Sequence, residues 1–216
     1  MRIEVLVEDS SGAKLVEMLL PQVIGANGAS HSWRVHGYSG IGRIPKKLTA
    51  ADLSSKETLF HRLPGILRAH GRTTGIDAVI VVLDSDRRNC KELLGELQAL
   101  LLTCKPAPNT LFRLAIEEAE AWLLGDRAAV LAAYPRAKKD VLAKYVQDSV
   151  CGTWELMADA VSRGGSAAMK KAGWPIPGQS KHEWVEKIGP FLNIEKNASP
   201  SFCKFRDGLR RLTAES

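Results

Sequence analysis

Two aspartates, Asp84 and Asp86, follow three apolar residues in the segment VVLDSD, with only Ser85 between them. The apolar run predicts a buried strand, and alternate residues of a strand point to the same side. Two carboxylates beside a core are costly unless a positive group lies close to them. The spacing therefore predicts a metal ion or a basic side chain at the end of this strand.

Further carboxylates follow other predicted strands. Glu8 comes after RIEVLV, and Glu117, Glu118 and Glu120 come at or after the end of LFRLAI. Because ligands collect beyond the carboxyl ends of parallel strands, we expect these groups to meet at one edge of the sheet. Hard oxygen ligands suit Mg²⁺ or Mn²⁺, and the lack of nearby histidine or cysteine argues against zinc.

The charge distribution favours a phosphorylated partner. The chain carries a formal net charge of +6, while the candidate site is acidic. The basic residues that we expect to contact nucleic acid are Arg43, Lys46, Lys47, Arg87 and Arg88. A carboxylate centre within basic surroundings suits a phosphodiester bridged by metal ions.

An alternation of strands and helices must position these residues. The pattern predicts strands at 2–8, 32–38, 78–86 and 111–118, with helices at 13–24, 51–71, 90–104 and 118–124. We expect Pro21 to tighten or end the first helix and Pro64 to interrupt the second. Such alternation indicates an α/β fold with a mostly parallel sheet flanked by helices.

The pattern changes after residue 126, where helices are separated by glycine and proline. We predict an α/β core over residues 1–126 and a helical C-terminal extension, packed on that core, over 127–216. The segment WPIPGQSKHEW, residues 174–184, is typical of a loop or linker because of its prolines and glycine.

Composition excludes several classes of protein. No apolar run approaches the roughly 18 residues that a membrane span needs. The start, MRIEVLVEDS, carries Glu4 and Glu8 and lacks the features of a signal peptide, so we expect a cytoplasmic location and no membrane partner. The four cysteines form no CxxC pair and show no zinc-ligand spacing.

Several segments carry a family resemblance. VEDSSGAKLVEMLLPQV and VIVVLDSDRRN resemble the TOPRIM domain of topoisomerases, primases and overcoming-lysogenization-defect nucleases. RLAIEEAEAWLLGD, DSVCGTWELMADAV and NASPSFCKFRDGLRRL are similar to a bacterial TOPRIM-like family of unknown function. The wider likeness covers nearly the whole chain. It implies a TOPRIM-like, Rossmann-like fold, a divalent metal and nuclease-type chemistry.

The resemblance also implies residue roles. Glu8 matches the glutamate proposed as general acid or base, and Asp84 and Asp86 match the pair that coordinates metal. Glu117 and Glu120 are the expected ligands of a second ion. The sequence departs from the family pattern at Asp9, where a glycine commonly follows the glutamate; the extra carboxylate would restrict the approach of a phosphate backbone.

The expected function is that of a Mg²⁺- or Mn²⁺-dependent nuclease, or a related phosphoryl-transfer enzyme, acting on DNA or RNA. The resemblance adds phage or mobile-element defence beside a separately encoded ATPase. One alternative is a non-catalytic subunit that keeps the fold and binds nucleic acid or a partner protein. Another is a small-molecule phosphatase or nucleotide hydrolase that uses the same metal site.

Structural roles are open for the same residues. Glu8 could stabilise the positive end of the following helix, for which Ser10 or Ser11 is the expected cap. Asp84 and Asp86 could cap a helix or pair with Arg87 and Arg88. The tryptophans, Trp122, Trp154, Trp174 and Trp184, are more typical of core or inter-helix packing than of base stacking.

Overall fold

A four-stranded, all-parallel sheet lies at the centre of the fold. The computed structural model describes residues 1–38, 59–173 and 175–214. Strands β1 (Arg2–Val7), β2 (Ser32–Gly37), β3 (Ala78–Asp84) and β4 (Thr110–Ala115) lie in the order β2-β1-β3-β4. Helices α1 (Ser10–Ile24), α2 (Leu59–Arg72) and α3 (Cys90–Leu102) belong to the connections between them. The structure confirms the predicted α/β class and is consistent with a Rossmann-like fold.

Both faces of the sheet are buried. In β3, Ile80 and Val82 belong to one hydrophobic cluster, whereas Val79, Val81 and Leu83 belong to another on the opposite face. A strand covered on both sides needs apolar residues at every position, which explains the uninterrupted run AVIVVL. The polar residues begin where β3 leaves the core, at Asp84.

Different sets of helices cover the two faces. Helices α2 and α3 pack in the cluster that contains Val79 and Val81. The opposite cluster contains residues of α1 and of most of the remaining helices: α4 (Glu120–Leu124), α5 (Arg127–Ala133), α6 (Lys139–Ala143), α7 (Thr153–Val161), α8 (Gly165–Ala172), α9 (Ile176–Ile188) and α10 (Pro200–Ala214). Trp122 lies at its centre, 4.8 Å from the ring of Phe205 between centroids. The cluster spans both sides of residue 126, and the domain boundary there stays a prediction.

Several predicted bounds differ from those observed. Helix α1 starts at Ser10 and its cap is Asp9, not a serine. Pro21 lies within α1 and Pro64 within α2, yet neither ends its helix; residues 51–58 of the second predicted helix lie outside the described residues. Strand β4 ends at Ala115 instead of reaching residue 118. Glu117 and Glu118 consequently lie in a loop.

The prediction of a loop at residues 174–184 was wrong, because α9 occupies Ile176–Ile188. Pro177 lies in the first turn, where a missing backbone N–H breaks no helical hydrogen bond. Trp184, Val185 and Ile188 are buried on one side of the helix. This apolar face stabilises the helix despite the proline and glycine at its start.

The order of the strands creates a crevice between β1 and β3. The chain leaves β1 toward β2 on one side, and β3 and β4 lie on the other side. Ligands of open α/β sheets bind at such a reversal, beyond the carboxyl ends of the strands. Within 1–38, 59–173 and 175–214, no helix has the length and apolar character needed to cross a membrane.

Candidate active site

Glu8 and Asp84 lie next to each other at this reversal of strand order. The backbone N–H of Glu8 donates to the carbonyl of Val82 (3.1 Å). In return, the Glu8 carboxylate accepts a hydrogen bond from the backbone N–H of Asp84 (2.7 Å). Glu8 is buried, and its carboxylate is fixed at the junction of the two central strands. The structure therefore brings together two of the three residues of the predicted signature.

The third residue, Asp86, lies on a turn that is bonded to the loop after β4. The N–H of Asp86 donates to the carbonyl of Glu117 (2.9 Å), and the N–H of Glu117 donates to the Ser85 hydroxyl (2.8 Å). Asp86 and Glu117 both have positive φ, 48° and 61°. Such backbone conformations are uncommon outside glycine, and they cluster where a site fixes its geometry.

In the described part of the chain, neither aspartate forms an ion pair with Arg87 or Arg88, although the charge of Arg88 opposes the rise in the pKa of Asp86. Helix α3 is capped by Asn89, whose side chain accepts from the N–H groups of Lys91 (2.9 Å) and Glu92 (3.3 Å). Arg88 pairs with Glu96 (2.6 Å). Neither aspartate therefore serves as the cap of α3.

A lysine that the sequence analysis did not single out lies among the carboxylates. The ammonium nitrogen of Lys181, on α9, is 3.1 Å from Glu120 Oε2 and 3.3 Å from Glu118 Oε1. The Glu120 side chain is only 2% exposed. Within the described part of the chain, Oε2 of each glutamate is buried and has no hydrogen-bond partner, so the contact of Lys181 with Glu120 is an ion pair only. The charge of Lys181 also opposes the rise in the pKa of Asp84 and of Asp86, so a basic side chain lies near the end of β3.

The pKa values of the site residues reflect the crowding of negative charge. Burial and then the neighbouring Glu8 and Asp9 raise the pKa of Asp84 well above its usual value. Burial and Glu120 raise the pKa of Glu118 to about 7. Burial lowers the pKa of Lys181, but Glu120 and the other carboxylates outweigh it, so that pKa is raised. Strongly perturbed carboxylates in a cleft are typical of functional sites.

Glu117 has a different environment from the other acidic residues. Its carboxylate accepts hydrogen bonds from the N–H groups of Cys151, Gly152 and Thr153 (2.9–3.1 Å) and from the Thr153 hydroxyl (2.7 Å). Burial raises its pKa, yet these hydrogen bonds outweigh burial and lower it. The carboxylate is thereby committed to the start of α7, and we leave Glu117 out of the proposed metal ligands.

Asp9 is committed in a similar way. Its carboxylate accepts from the N–H of Gly12 (2.6 Å) and from the Ser11 hydroxyl (3.0 Å), as an N-cap of α1. The next residue, Ser10, forms a hydrogen bond with Nε2 of His182 on α9 (2.9 Å). The contact between Ser10 and His182 holds the start of α1 against the middle of α9.

A cavity of about 770 Å³ is lined by the carboxylate residues Glu8, Asp9, Asp84, Asp86 and Glu118. Its other walls come from the start of α1, from Tyr38 and Trp154, and from the first turns of α9. A second cavity of about 520 Å³ shares Asp86, Glu118 and Trp154 with the first, and it adds Arg87 and Arg88. Two of the five predicted nucleic-acid contacts therefore lie beside the acidic site. The other three, Arg43, Lys46 and Lys47, lie outside the described residues, as does Trp174.

The donor set fits a hard divalent cation in its chemistry. Glu8, Asp84, Asp86 and Glu118 line the cavity together with Lys181, whose ammonium group also contacts the buried Glu120. Two buried carboxylate oxygens lack a hydrogen bond. However, no group of three or more His, Cys, Asp or Glu side chains in the described chain is arranged to hold an ion. An ion would need some of these side chains to turn and the ammonium of Lys181 to move.

Sequence reasoning missed Lys181 because it lies in the segment predicted as a loop. Helical spacing could have identified it, since Lys181 stands one turn before Trp184 and Val185. Glu118 was recognised as part of the acidic group but was not selected, because on a helix it would share a face with Trp122 and not with Glu117 and Glu120. Trp184 and Trp122 are buried as predicted, whereas Trp154 lines both cavities.

Comparison with known proteins found no matching family model, no matching curated protein and no matching solved structure. The functional proposal therefore depends on the site itself and on the resemblance of its motifs.

Proposed function

We propose that this protein is a TOPRIM-type, Mg²⁺- or Mn²⁺-dependent nuclease that acts on DNA or RNA. The observation that carries the proposal is the placement of Glu8, Asp84 and Asp86. They follow the two adjacent central strands at the reversal of strand order, and they line a cavity together with Glu118, one of whose carboxylate oxygens is buried without a hydrogen bond. Acidic oxygens at such a position suit a metal that carries phosphate.

The proposed ligands of the ion are Asp84, Asp86, Glu118 and Glu120. When bound, a divalent ion would polarise a phosphate oxygen and favour deprotonation of a water molecule. Glu8 contributes a carboxylate held beside Asp84, where it can accept a proton from an attacking water or return one to a leaving oxygen. Lys181 contributes a buried positive charge that can stabilise negative charge on a phosphate.

The basic residues beside the second cavity support a polynucleotide substrate. Arg87 and Arg88 lie next to the acidic site. Contacts with several phosphates make the binding constant fall steeply with salt, unlike the binding of a single nucleotide. We therefore expect oligonucleotide affinity to depend more strongly on salt than nucleotide affinity. Equal, shallow dependences would favour the small-molecule phosphatase.

The test of the proposal combines metal binding and cleavage. Mn²⁺ is titrated by calorimetry into the wild type and into Asp84→Ala/Asp86→Ala, and the same samples are assayed for nicking of plasmid DNA and cleavage of RNA. We expect the double variant to lose both properties, with cleavage reduced by roughly a hundredfold or more because a metal supplies several kcal/mol of transition-state stabilisation. The control, Glu17→Ala/Asp140→Ala, removes two exposed carboxylates from α1 and α6. Cleavage that survives in the Asp84→Ala/Asp86→Ala variant would overturn the assignment.

The non-catalytic alternative is favoured by one observation, the ion pairs of Lys181. A lysine that neutralises Glu118 and Glu120 can replace a metal as the stabilising cation. On this alternative, the protein binds nucleic acid or a partner without cleaving it, and we expect no saturable Mn²⁺ binding by the wild type. Cleavage assays repeated with a separately encoded ATPase distinguish a dormant nuclease from a binding subunit, since only the nuclease gains activity.

A further inference from the structure

Strand β4 has an edge without a strand partner in the described chain. The N–H of Val79 donates to the carbonyl of Asn109, and the N–H of Ser85 donates to that of Ala115. In a regular parallel ladder, these two bonds assign the odd-numbered backbone groups of β4 to β3. The N–H and C=O groups of Phe112 and Leu114 therefore face away from the sheet.

A contact of Arg113 supports this assignment. Its Nη1 donates to the carbonyl oxygen of Phe112 (2.7 Å), which must therefore be accessible from outside the sheet. Among the described residues, no acceptor is found for the N–H groups of Phe112 and Leu114. The Phe112 carbonyl is thus already occupied by Arg113, whereas the N–H groups of Phe112 and Leu114 remain open. Unpaired backbone groups on an edge strand form a template for another strand.

A cavity of about 390 Å³, which we call the edge groove, runs along β4. It is lined by Cys90, Leu94, Phe112, Arg113, Leu114, Ile116, Asp148, Ser201, Lys204 and Arg211. Consecutive residues of β4 contribute to it, although their side chains point to opposite faces of the sheet. The groove therefore follows the edge of the strand and lies between α3 and α10.

The groove carries an excess of positive charge. Arg113, Lys204 and Arg211 form no ion pair with any described residue. The one carboxylate among its lining residues is that of Asp148, which accepts hydrogen bonds from the Ser199 hydroxyl (2.7 Å) and from the N–H of Ser201 (2.6 Å). This single negative charge does not balance the three positive ones. The groove is thus complementary to an anionic group.

Arg113 is held in place for such a role. Its Nε donates to the carbonyl of Lys204 (2.9 Å), while its guanidinium passes over Gly208 in α10. A Cβ at position 208 would lie 1.9 Å from Nη2 of Arg113, so no other residue leaves room for this arrangement. Glycine within a helix is destabilising, and here it accommodates a guanidinium that still has unused donors.

The two sides of the edge groove differ in chemistry. Arg113, Lys204 and Arg211 lie on the side of α10, whereas Cys90, Leu94 and Leu114 form the side of α3. Side chains of an added strand would alternate between these sides. A segment in which acidic and apolar residues alternate would place its carboxylates against the arginines and its apolar residues against α3.

We propose that the edge groove binds an extended acidic segment of a partner protein, which adds a strand to β4. Main-chain hydrogen bonds give such a complex its affinity, and the alternating side chains give it specificity. A polynucleotide has phosphates but lacks the peptide N–H and C=O groups that continue a β ladder. This interaction goes beyond the proposed nuclease function and needs no metal.

The proposal is tested by NMR titration of the metal-free protein in EDTA. The probe is a capped peptide of alternating glutamate and valine, and the signals followed are the amide resonances of Phe112 and Leu114. We expect saturable shifts at these amides, and roughly tenfold weaker binding by Arg113→Gln, because charge-assisted hydrogen bonds are lost. Lys204→Gln/Arg211→Gln, which changes exposed side chains only, is expected to weaken binding even if Arg113→Gln does not fold.

Three controls decide between outcomes. Arg136→Gln removes an equal charge from an exposed site away from the groove and is expected to bind like the wild type. A peptide N-methylated at alternate residues keeps its charge but cannot extend the ladder, so we expect it to bind far more weakly. The proposal is overturned if the methylated peptide binds as tightly as the unmethylated one, or if no saturable shifts are observed. It is also overturned if single-stranded DNA binds more tightly than the peptide and shifts the same amide resonances.

Discussion

Glu117 and Glu118 are adjacent in the sequence, yet their carboxylates have opposite environments. The Glu117 carboxylate accepts several backbone N–H groups and a hydroxyl, and its pKa is lowered. The Glu118 carboxylate lies among other carboxylates with one buried oxygen unsatisfied, and its pKa is raised to about 7. Glu117 is buried and the Glu118 side chain is 20% exposed, so exposure alone does not explain why the more buried carboxylate has the lowered pKa. The number of hydrogen-bond donors that each carboxylate contacts explains the difference.

This difference separates a carboxylate that stabilises the fold from one that the fold destabilises. Hydrogen bonds to an ionised carboxylate favour its charged form, whereas burial beside like charges opposes it. A fold retains the second arrangement most readily where the group has a function. We therefore expect neutralisation of Glu117 to lower the free energy of unfolding and neutralisation of Glu118 to raise it.

The largest expected effect is the loss of stability in Glu117→Gln. Glutamine keeps the size but replaces one acceptor oxygen with an NH₂ group, which faces backbone N–H donors. We expect a loss of about 3 kcal/mol in the free energy of unfolding, because charge-assisted hydrogen bonds at a buried site are removed. Urea denaturation at pH 8 without metal measures it.

If the folded Glu117→Gln protein still binds Mn²⁺ with nearly wild-type affinity, Glu117 is structural, as proposed. Loss of binding in a variant with unchanged stability would place Glu117 among the ligands and erase the contrast with Glu118.

Glu118→Gln is expected to raise the free energy of unfolding at pH 8. The pKa of Glu118 rises from 4.5 to about 7 on folding, so the native state binds the extra proton between these values. Its contribution to stability is fully present below pH 4.5 and is lost as pH rises through 7. We expect the metal-free variant to be more stable than the wild type by about 1–2 kcal/mol at pH 8, and equal to it near pH 4.5.

Urea denaturation across this pH range is the measurement, and Glu183→Gln, an exposed glutamate of α9, is the control. If the stability of the wild type and of Glu118→Gln changed in parallel with pH, folding would not raise the pKa of Glu118. The contrast with Glu117 would then be wrong. With saturating Mn²⁺ the wild type is expected to be more stable than Glu118→Gln, since only the wild type keeps all the proposed ligands.

A third experiment asks what the buried ammonium does. In Lys181→Met, the carboxylates lose their internal counter-ion at nearly unchanged side-chain length. We expect the affinity for Mn²⁺ to increase roughly tenfold, because a competing positive charge is removed from between the ligands. Isothermal titration calorimetry measures the affinity.

Lys187→Met is the matched control, since Lys187 is an exposed lysine of the same helix in an i,i+4 pair with Glu183. Its Mn²⁺ affinity should equal that of the wild type. Weaker binding by Lys181→Met would show instead that the lysine holds Glu118 and Glu120 in place for the ion.

The parts of the site that sequence could predict are those that depend on strands. Glu8, Asp84 and Asp86 follow runs whose apolar content reports burial on both faces, and parallel strands bring their ends together by geometry alone. Spacing in the chain therefore translated directly into proximity in space.

The remaining parts depend on long-range contacts. Lys181 reaches the site from α9, and Glu117 turns away from it because residues 151–153 offer their N–H groups. Neither partner is near in sequence, so local patterns gave no indication of the pairing. The turn residues of positive φ, Asp86 and Glu117, likewise depend on bonds between two loops. The prolines misled the prediction at α9 because the first turn of a helix tolerates them.

The smallest expected effect concerns Asp9, which tests whether a carboxylate at the rim follows Glu117 or Glu118. Its oxygens are occupied by the N–H of Gly12 and the Ser11 hydroxyl. Asp9→Ala removes this cap, and we expect a loss of about 1 kcal/mol in the free energy of unfolding. Asp9→Asn retains an acceptor oxygen and should lose little, although it removes the same charge. Thermal denaturation of both variants, with Mn²⁺ titrations, separates the cap from the charge. If Asp9→Asn bound Mn²⁺ much more weakly than the wild type, Asp9 would belong with the ligands, and satisfied hydrogen bonds would no longer identify the structural carboxylates of this site.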